Sequence, residues 1–320
     1  MPTATPVGTN AITSISRRFI LPRLTDNIYG GNLMFFRLTT KNKKMLQGGY
    51  QIEAPLVYSE FAAGGAYSGY DLLDISPTDN IKNGAWAWKQ YYVPVTLSGL
   101  DLIRSDSPEA VANWLSFYFE AAQTQMAENL GDGTWSDATT NTNRIDGLQG
   151  AIDDGGVAAT YAGLTRASNT WWNAQDDSST TTLSLTAMQS LWGNCTSGGR
   201  HPTLLVGTQA NYNRYWVLST AGQTFPTNPS GQDEQLAQNG FTNLLFNGTP
   251  FCVDPHVPAN HIFMINEDYM YLYVNTKADF SMEEFRQPVN QDAMTSLVLW
   301  AGNIIMTNCR TSGKLSALTA

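Results

Sequence analysis

Apolar positions along the chain change period several times, and each change marks an element. From Ser107 to Leu130 the period is helical. Val111, Leu115, Tyr118, Ala122 and Met126 form one stripe, and Trp114, Ala121 and Gln125 lie on an adjoining one. Asp106 or Ser107 can accept from the first free backbone N–H groups. Pro108 suits a helix start, and Glu109 suits the positive end of the dipole. Gly131-Asp132-Gly133 predicts the stop. At 1.5 Å per residue the segment is a rod of roughly 35 Å, long enough to be the spine of a subunit.

Ahead of that helix the period is two. Tyr50, Ile52 and Ala54 alternate up to Pro55, and Leu56-Val57-Tyr58 prolong the extended run. A polar, Gly-rich middle follows, and the return limb runs from Ala85 to Leu97. Trp86 and Trp88 share one face, whereas Val93, Val95 and Leu97 share a face with odd numbering. That change of phase predicts a bulge or twist near Tyr91-Tyr92, and Pro94 predicts an edge strand. Asn83-Gly84 has the composition of a turn at the head of the limb. A two-stranded arm of this length is marginal alone in water and leaves its aromatics exposed. We expect it to lie on a neighbouring subunit rather than fold back on its own core.

The remaining pattern is mixed. Residues 1–32 are rich in Thr, Pro, Asn and Gly and predict an extended arm, followed from Leu33 to Lys44 by a short apolar segment and a basic turn. After the helix come a loop (132–143) and a hairpin within Ala158–Trp172. A helix is expected from Thr186 to Asn194, capped by Ser184 or Thr186, then a buried strand Thr203–Val206 and a helix capped by Thr208 that runs through Trp216. Strands follow at Leu244–Val253 and Ile262–Val274, a helical turn at Met282–Arg286, and a long final strand or strand pair at Ser296–Asn308. Strand-then-helix alternation marks a mixed α/β unit inside an α+β chain.

Composition narrows the function. In 320 residues only 14% are charged, while 42% are hydrophobic. Neutral polar groups and aromatics on the surface suit a protein covered by partners. The net charge of −9 is uneven. Through residue 44 there are seven basic residues (Arg17, Arg18, Arg23, Arg37, Lys41, Lys43, Lys44) and one acid, Asp26; the rest holds eleven basic and twenty-six acidic. A basic arm on an acidic body can bind another copy's body. Three widely spaced cysteines form no disulfide framework, and no apolar run is long enough to cross a membrane.

Catalytic and metal chemistry has little support. Cys252, Asp254, His256 and His261 are zinc-type ligand residues, but their spacing is unusual and Pro255 and Pro258 interrupt it, so they are read as a loop with structural histidines. His201, before Pro202, reads the same way. Asp153-Asp154 and Asp176-Asp177 lie in turn-like composition, and Glu283-Glu284 is a third acidic pair; none is read as a glycosidase dyad. Gly313-Lys314 lacks the strand and glycine of a phosphate loop. No cofactor is implied.

Several segments carry a family resemblance. They are Thr160–Arg166 leading to Trp171-Trp172, Pro202–Val206 running into Asn211–Trp216, and Gln291–Met294 through Leu299–Asn303. With the order arm, long hairpin, spine helix, α/β unit and returning strand, the chain resembles the major capsid protein of tailed bacteriophages, the Hong Kong 97-like fold. The resemblance implies an N-terminal arm (1–45), an extended β-hairpin loop (46–98) and a peripheral domain (99–182) with the spine helix at 107–130. An axial domain (183–265) follows, then strands returning to the peripheral domain and a C-terminal tail (266–320). It further implies self-assembly as pentamers and hexamers into an icosahedral shell around packaged double-stranded DNA, held without sequence-specific binding. Portal, scaffold or cement proteins are the other implied partners. The implied location is the virion capsid, assembled in the bacterial host cytoplasm. Some relatives cross-link a loop lysine to a neighbour's asparagine; Lys82 and Lys89 lie in the loop, but nothing marks a partner asparagine or an activating glutamate, and no cross-link is expected. Expected subunit-interface residues are Arg17, Arg18, Arg23, Trp86, Trp88, Tyr91 and Tyr92. The competing reading is a polysaccharide-binding module or glycoside hydrolase using Trp86, Trp88, Trp171 and Trp172 as sugar platforms.

Overall fold

The computed structural model describes residues 32–60, 65–73, 77–100, 108–137, 139–221, 244–289 and 291–319. The first half holds helix α1 (Leu33–Asn42), strands β1 (Lys43–Leu46), β2 (Ile52–Val57), β3 (Ile81–Trp86) and β4 (Lys89–Ser98), helix α2 (Pro108–Thr134) and the short α3 (Leu148–Ala151). Then come β5 (Thr160–Tyr161), β6 (Leu164–Thr165), β7 (Gln175–Asp177), α4 (Leu185–Cys195), β8 (Leu204–Gly207) and α5 (Gln209–Ala221). The last part is mostly strand: β9 (Leu244–Phe246), β10 (Thr249–Val253), β11 (Ile262–Ile265), β12 (Met270–Asn275), β13 (Ser281–Met282), β14 (Ala293–Met306) and β15 (Gly313–Leu315).

Two sheets organise these elements. In the first, β14 is the axis: β12 and β13 pair with it at successive positions, β1 pairs parallel to β12, and β4 runs antiparallel to β14 from Lys89 opposite Gly302 to Ser98 opposite Ala293. The second has the order β7-β15-β11-β8-β10-β9. One apolar core lies around α1, α2 and the first sheet; a smaller one lies between the second sheet and helices α4 and α5. β8 is buried along its whole length, as expected of a strand covered on both faces. Ser184 caps α4 by accepting from the Ala187 N–H at 3.1 Å, and β9–β10 turns through Asn247 and Gly248 with φ of 48° and 80°, a primed hairpin turn.

The structure corrects the sequence reading at six places. α1 is a helix with Leu33, Met34, Phe35, Arg37 and Leu38 buried, where only an apolar segment was read. α2 begins at Pro108 but runs 27 residues, about 40 Å, straight through Gly131 and Gly133. Those glycines are points of close approach rather than a stop. A Cβ on Gly131 would lie 2.6 Å from the His256 ring, and one on Gly133 would lie 2.4 Å from the Tyr91 hydroxyl. Third, the return limb is two strands in two sheets. β3 completes the small hairpin with β2, while β4 joins β14, so the phase inversion falls at Ala87-Trp88, where the chain changes sheets. β4 alternates without a break and holds Val93, Val95 and Leu97 inward. Fourth, Asn83-Gly84 lies within β3 opposite Pro55 and Ala54. Fifth, Met282–Arg286 forms no helical turn: Ser281-Met282 and Arg286 bond to β14 instead, because that long strand offers unpaired backbone groups there.

Sixth, the β2–β3 hairpin folds back on its own chain. Ile52, Leu56 and Trp86 are buried in the main core, and the Ala85 N–H donates to the Ala162 carbonyl at 3.0 Å. The Trp86 ring lies over Gly84, where an added Cβ would come within 2.7 Å of it. Gly84→Ala should therefore cost about 1–3 kcal/mol despite the better strand propensity of alanine. A urea midpoint equal to that of the parent would show that Trp86 does not pack on this strand.

Candidate assembly surfaces and buried charge clusters

Of the expected interface residues, Arg17, Arg18 and Arg23 lie outside the described residues. The four aromatic residues divide. Trp86 is 1% exposed and meets the Tyr161 ring edge-on at 6.1 Å, so its surface is spent inside this chain. Tyr91 is half-buried: its hydroxyl accepts from the Ile145 N–H at 3.1 Å and its ring meets Trp300 edge-on, while burial pushes the phenol above its usual pKa. Trp88 is partly exposed, with its Nε1–H donating to the Gly49 carbonyl at 3.0 Å. Tyr92 alone of the four points outward, 65% exposed.

The same burial removes the sugar-platform reading. Trp172 is as buried as Trp86 and stacks on Tyr161, and Trp171 stacks on Tyr58 at 5.4 Å. No pair among these tryptophans offers two open faces.

Exposed apolar surface is concentrated elsewhere. Between β2 and β3 the described residues include Tyr67, Tyr70, Leu72 and Leu73, with Tyr70 and Leu72 fully open to solvent. On the helices, Phe117 of α2 and Val217 of α5 are also open. The loop cluster was missed because glycines and polar residues around it mask four apolar side chains that follow no period.

Charge, by contrast, is buried at two joints. Glu267 lies in the short 3-10 turn (Glu267–Tyr269) that carries the chain from β11 in one sheet to β12 in the other. Its carboxylate accepts two bonds from Arg37, the Nη2 contact at 2.7 Å, one from Lys41 at 2.9 Å and one from the Thr203 hydroxyl at 3.1 Å. Burial by itself would raise this carboxyl; the Arg37 and Lys41 cations outweigh it and hold it below 4.5. Lys314 is the mirror case, a fully buried ammonium on β15 that donates to Asp153 at 2.9 Å and the Gln149 carbonyl at 3.2 Å, with Asp176 at 3.2 Å. Asp153 also accepts from the N–H groups of Gly155, Val157 and Ala158, and these bonds with Lys314 keep it ionised against desolvation. The carboxylates of Asp153, Asp154 and Asp176 lie within 4.8 Å of one another, and the Lys314 ammonium is the counter-ion of Asp153 and Asp176. Beside them the Arg166 guanidinium, fully buried, is held by the carbonyls of Gly150, Ala151, Asp153 and Trp172.

The histidine loop makes no convergent ligand set. His256 has Asp254 on Nδ1 at 3.2 Å and Glu128 of α2 on Nε2 at 3.1 Å, at opposite ends of the ring. His261 stacks on Phe263, and burial pushes it down to about 4. Lys82 and Lys89, the two loop lysines, have partners within the chain: Asn169 at 2.6 Å and Asp146 at 3.3 Å. No helix among the described residues is long and apolar enough to cross a membrane.

No family model matches the chain, and no curated protein matches it. Solved structures do. A chain of the cyanophage A-1(L) capsid asymmetric unit is 14% identical, with a TM-score of 0.67 over 90% of this chain and 92% of its own. A chain of the holo encapsulin complex from Synechococcus elongatus is 10% identical, with a TM-score of 0.60 over 88% and 87%. A chain of the native GTA particle capsid is 10% identical, with a TM-score of 0.59 over 87% and 88%. The chain has the Hong Kong 97-like capsid fold.

Removing one member of a buried charge cluster strands the others. Glu267→Gln should cost about 3–5 kcal/mol by leaving Arg37 and Lys41 uncompensated. The sign with pH follows from the lowered carboxyl: its stabilisation is present above 4.5 and is lost as pH falls through the folded value. Urea midpoints of the parent should thus fall more steeply below pH 5 than those of the variant; parallel curves would show that Glu267 is not the acid-sensitive group.

Proposed function

We propose that this protein is a major capsid protein, assembling as pentamers and hexamers into an icosahedral shell that encloses packaged double-stranded DNA. The observation that carries the proposal is the extent of the likeness. About nine-tenths of the chain matches about nine-tenths of a cyanophage capsid subunit, with a TM-score of 0.67. In this reading the arm expected at 1–45 reaches a neighbour only with the part that precedes α1, where Arg17, Arg18 and Arg23 would meet acidic surface, because α1 and β1 belong to the subunit's own core and first sheet. Residues 99–182 form a peripheral domain and 183–265 an axial domain, joined by the strands of 266–320. Portal, scaffold and cement proteins are the partners such a shell would take, and the virion is its place.

The exposed residues Tyr67, Tyr70, Leu72 and Leu73, within one short stretch of the loop, support contact with another subunit, because four apolar side chains left in water on one segment are a standing cost unless covered. Tyr92 adds an aromatic contact on the outer face of β4. The part of the loop that reaches outward is therefore shorter than 46–98: its base belongs to the subunit's own core, and β4 is a strand of the first sheet.

Negative-stain microscopy of the purified protein should show uniform shells or rings of five or six, with nuclease-resistant DNA in shells taken from infected cells. A monomer at every concentration and ionic strength would sink the proposal. Replacing residues 60–78 by a short turn, just beyond the Tyr58–Asn80 backbone bond of 3.1 Å, should leave a folded subunit that no longer makes stable shells. Normal shells from that variant would remove the loop's role.

A further inference from the structure

Where α2 meets the loop after β10, two side chains converge on a helix position that carries no side chain of its own. Gly131 of α2 has no Cβ, and the space one would fill is occupied by the His256 ring and the Asn32 amide, 2.6 and 2.8 Å from that position. The ring therefore lies against bare helix backbone. Its two nitrogens face two carboxylates on different elements: Glu128, one turn before Gly131 on α2, at 3.1 Å, and Asp254 on its own loop at 3.2 Å. Asp254 is 1% exposed and also accepts from the His256 backbone N–H at 2.9 Å, so it is fixed, whereas Glu128 reaches in from the surface. A neutral imidazole has one N–H and can satisfy only one carboxylate; the imidazolium has two and satisfies both. Asp254 and Glu128 are the charged groups that act on the ring; Asn32 at the start of α1 is neutral, and Asp132 on the next position of α2 pairs with Arg144 at 2.7 Å.

We propose that His256 is a proton-dependent staple, joining α2 to the β10–β11 loop as an imidazolium and releasing that joint when it loses its proton. The inference concerns the subunit itself and does not depend on shell formation. The Asp254 hydrogen bond, helped by Glu128 and opposed by burial, raises the His256 pKa to about 9. A histidine raised from 6.5 contributes stability that is complete below 6.5 and is lost as pH rises through about 9. His261, further along the same loop, does not share this role, since burial keeps it neutral.

Hydrogen exchange on the full-length protein, followed by mass spectrometry and corrected for intrinsic rates, reads the joint directly. In the parent, peptides covering 124–135 and 254–262 should open about tenfold more at pH 10 than at pH 7, a factor reduced from the full shift because Glu128 is largely solvated. In His256→Gln the same peptides should be open already at pH 7 and insensitive to pH. In Glu128→Gln, a surface change that leaves the fold intact, the midpoint of opening should move below that of the parent. Opening in the parent that gains no more than the rest of the chain, a parent-like pH dependence in His256→Gln, or an unchanged midpoint in Glu128→Gln would each overturn the proposal.

Discussion

A single buried carboxylate holds the architecture at its narrowest point. Glu267 lies where the chain crosses from the second sheet to the first, and the groups that bind it come from different parts of the fold: Arg37 and Lys41 from α1, Thr203 from the entry to β8. An apolar residue could fill the space, and buried ion pairs are often replaceable without loss of stability. What an apolar residue lacks is direction. The bidentate Arg37 contact fixes α1 in register against the crossing, and the Asn42 amide, donating to the Glu267 carbonyl at 2.7 Å, fixes it again further along the helix. The return crossing, from β14 to β15, runs beside the first, since the Ser312 hydroxyl accepts from the Asn266 N–H at 3.1 Å. Two residues further, Lys314 clamps β15 to the Asp153 turn and β7. These two passages between the sheets are thus tied by charge rather than by apolar contact alone.

That arrangement explains how much of the fold could be read from the sequence. Elements whose signals are local were legible: the buried stripe of α2 at Leu115, Ala122 and Met126, the Ser184 cap, the buried β8 and the edge position of Pro94. Features decided by partners far along the chain were not. β4 pairs with a strand about two hundred residues later, so its phase inversion looked like a bulge instead of a change of sheet. Gly131 and Gly133 carry a stop signal that the helix overrides, because His256 and Tyr91 need the room. α1 lacks a side-chain cap and is secured by Glu267, on which no local pattern in residues 33–42 gives a hint. The interface residues fared similarly. Large aromatics on alternating positions signal a buried face as readily as a contact face, and Trp86 took the first role while Tyr92 kept an open face.

The sparse charge of the chain acquires a meaning from this placement. With only 14% charged residues, the buried cations and carboxylates at the two joints are drawn from a small supply, leaving a surface of neutral polar groups broken by apolar side chains. Such a surface is poorly defended against association. In a monomer that is a liability, and a scattered exposed Leu would need no comment. Here the apolar side chains between β2 and β3 follow one another within seven residues of sequence, and the hairpin at the base of the loop is anchored through Ile52, Leu56 and Trp86 to the same core that carries α2. A contact made at that loop is consequently referred to a rigid base, not to a free arm. For an assembling subunit this matters more than the strength of any one contact: a fixed base lets a modest apolar patch specify direction, and direction is what decides whether repeated contacts close into a ring or continue into a fibre.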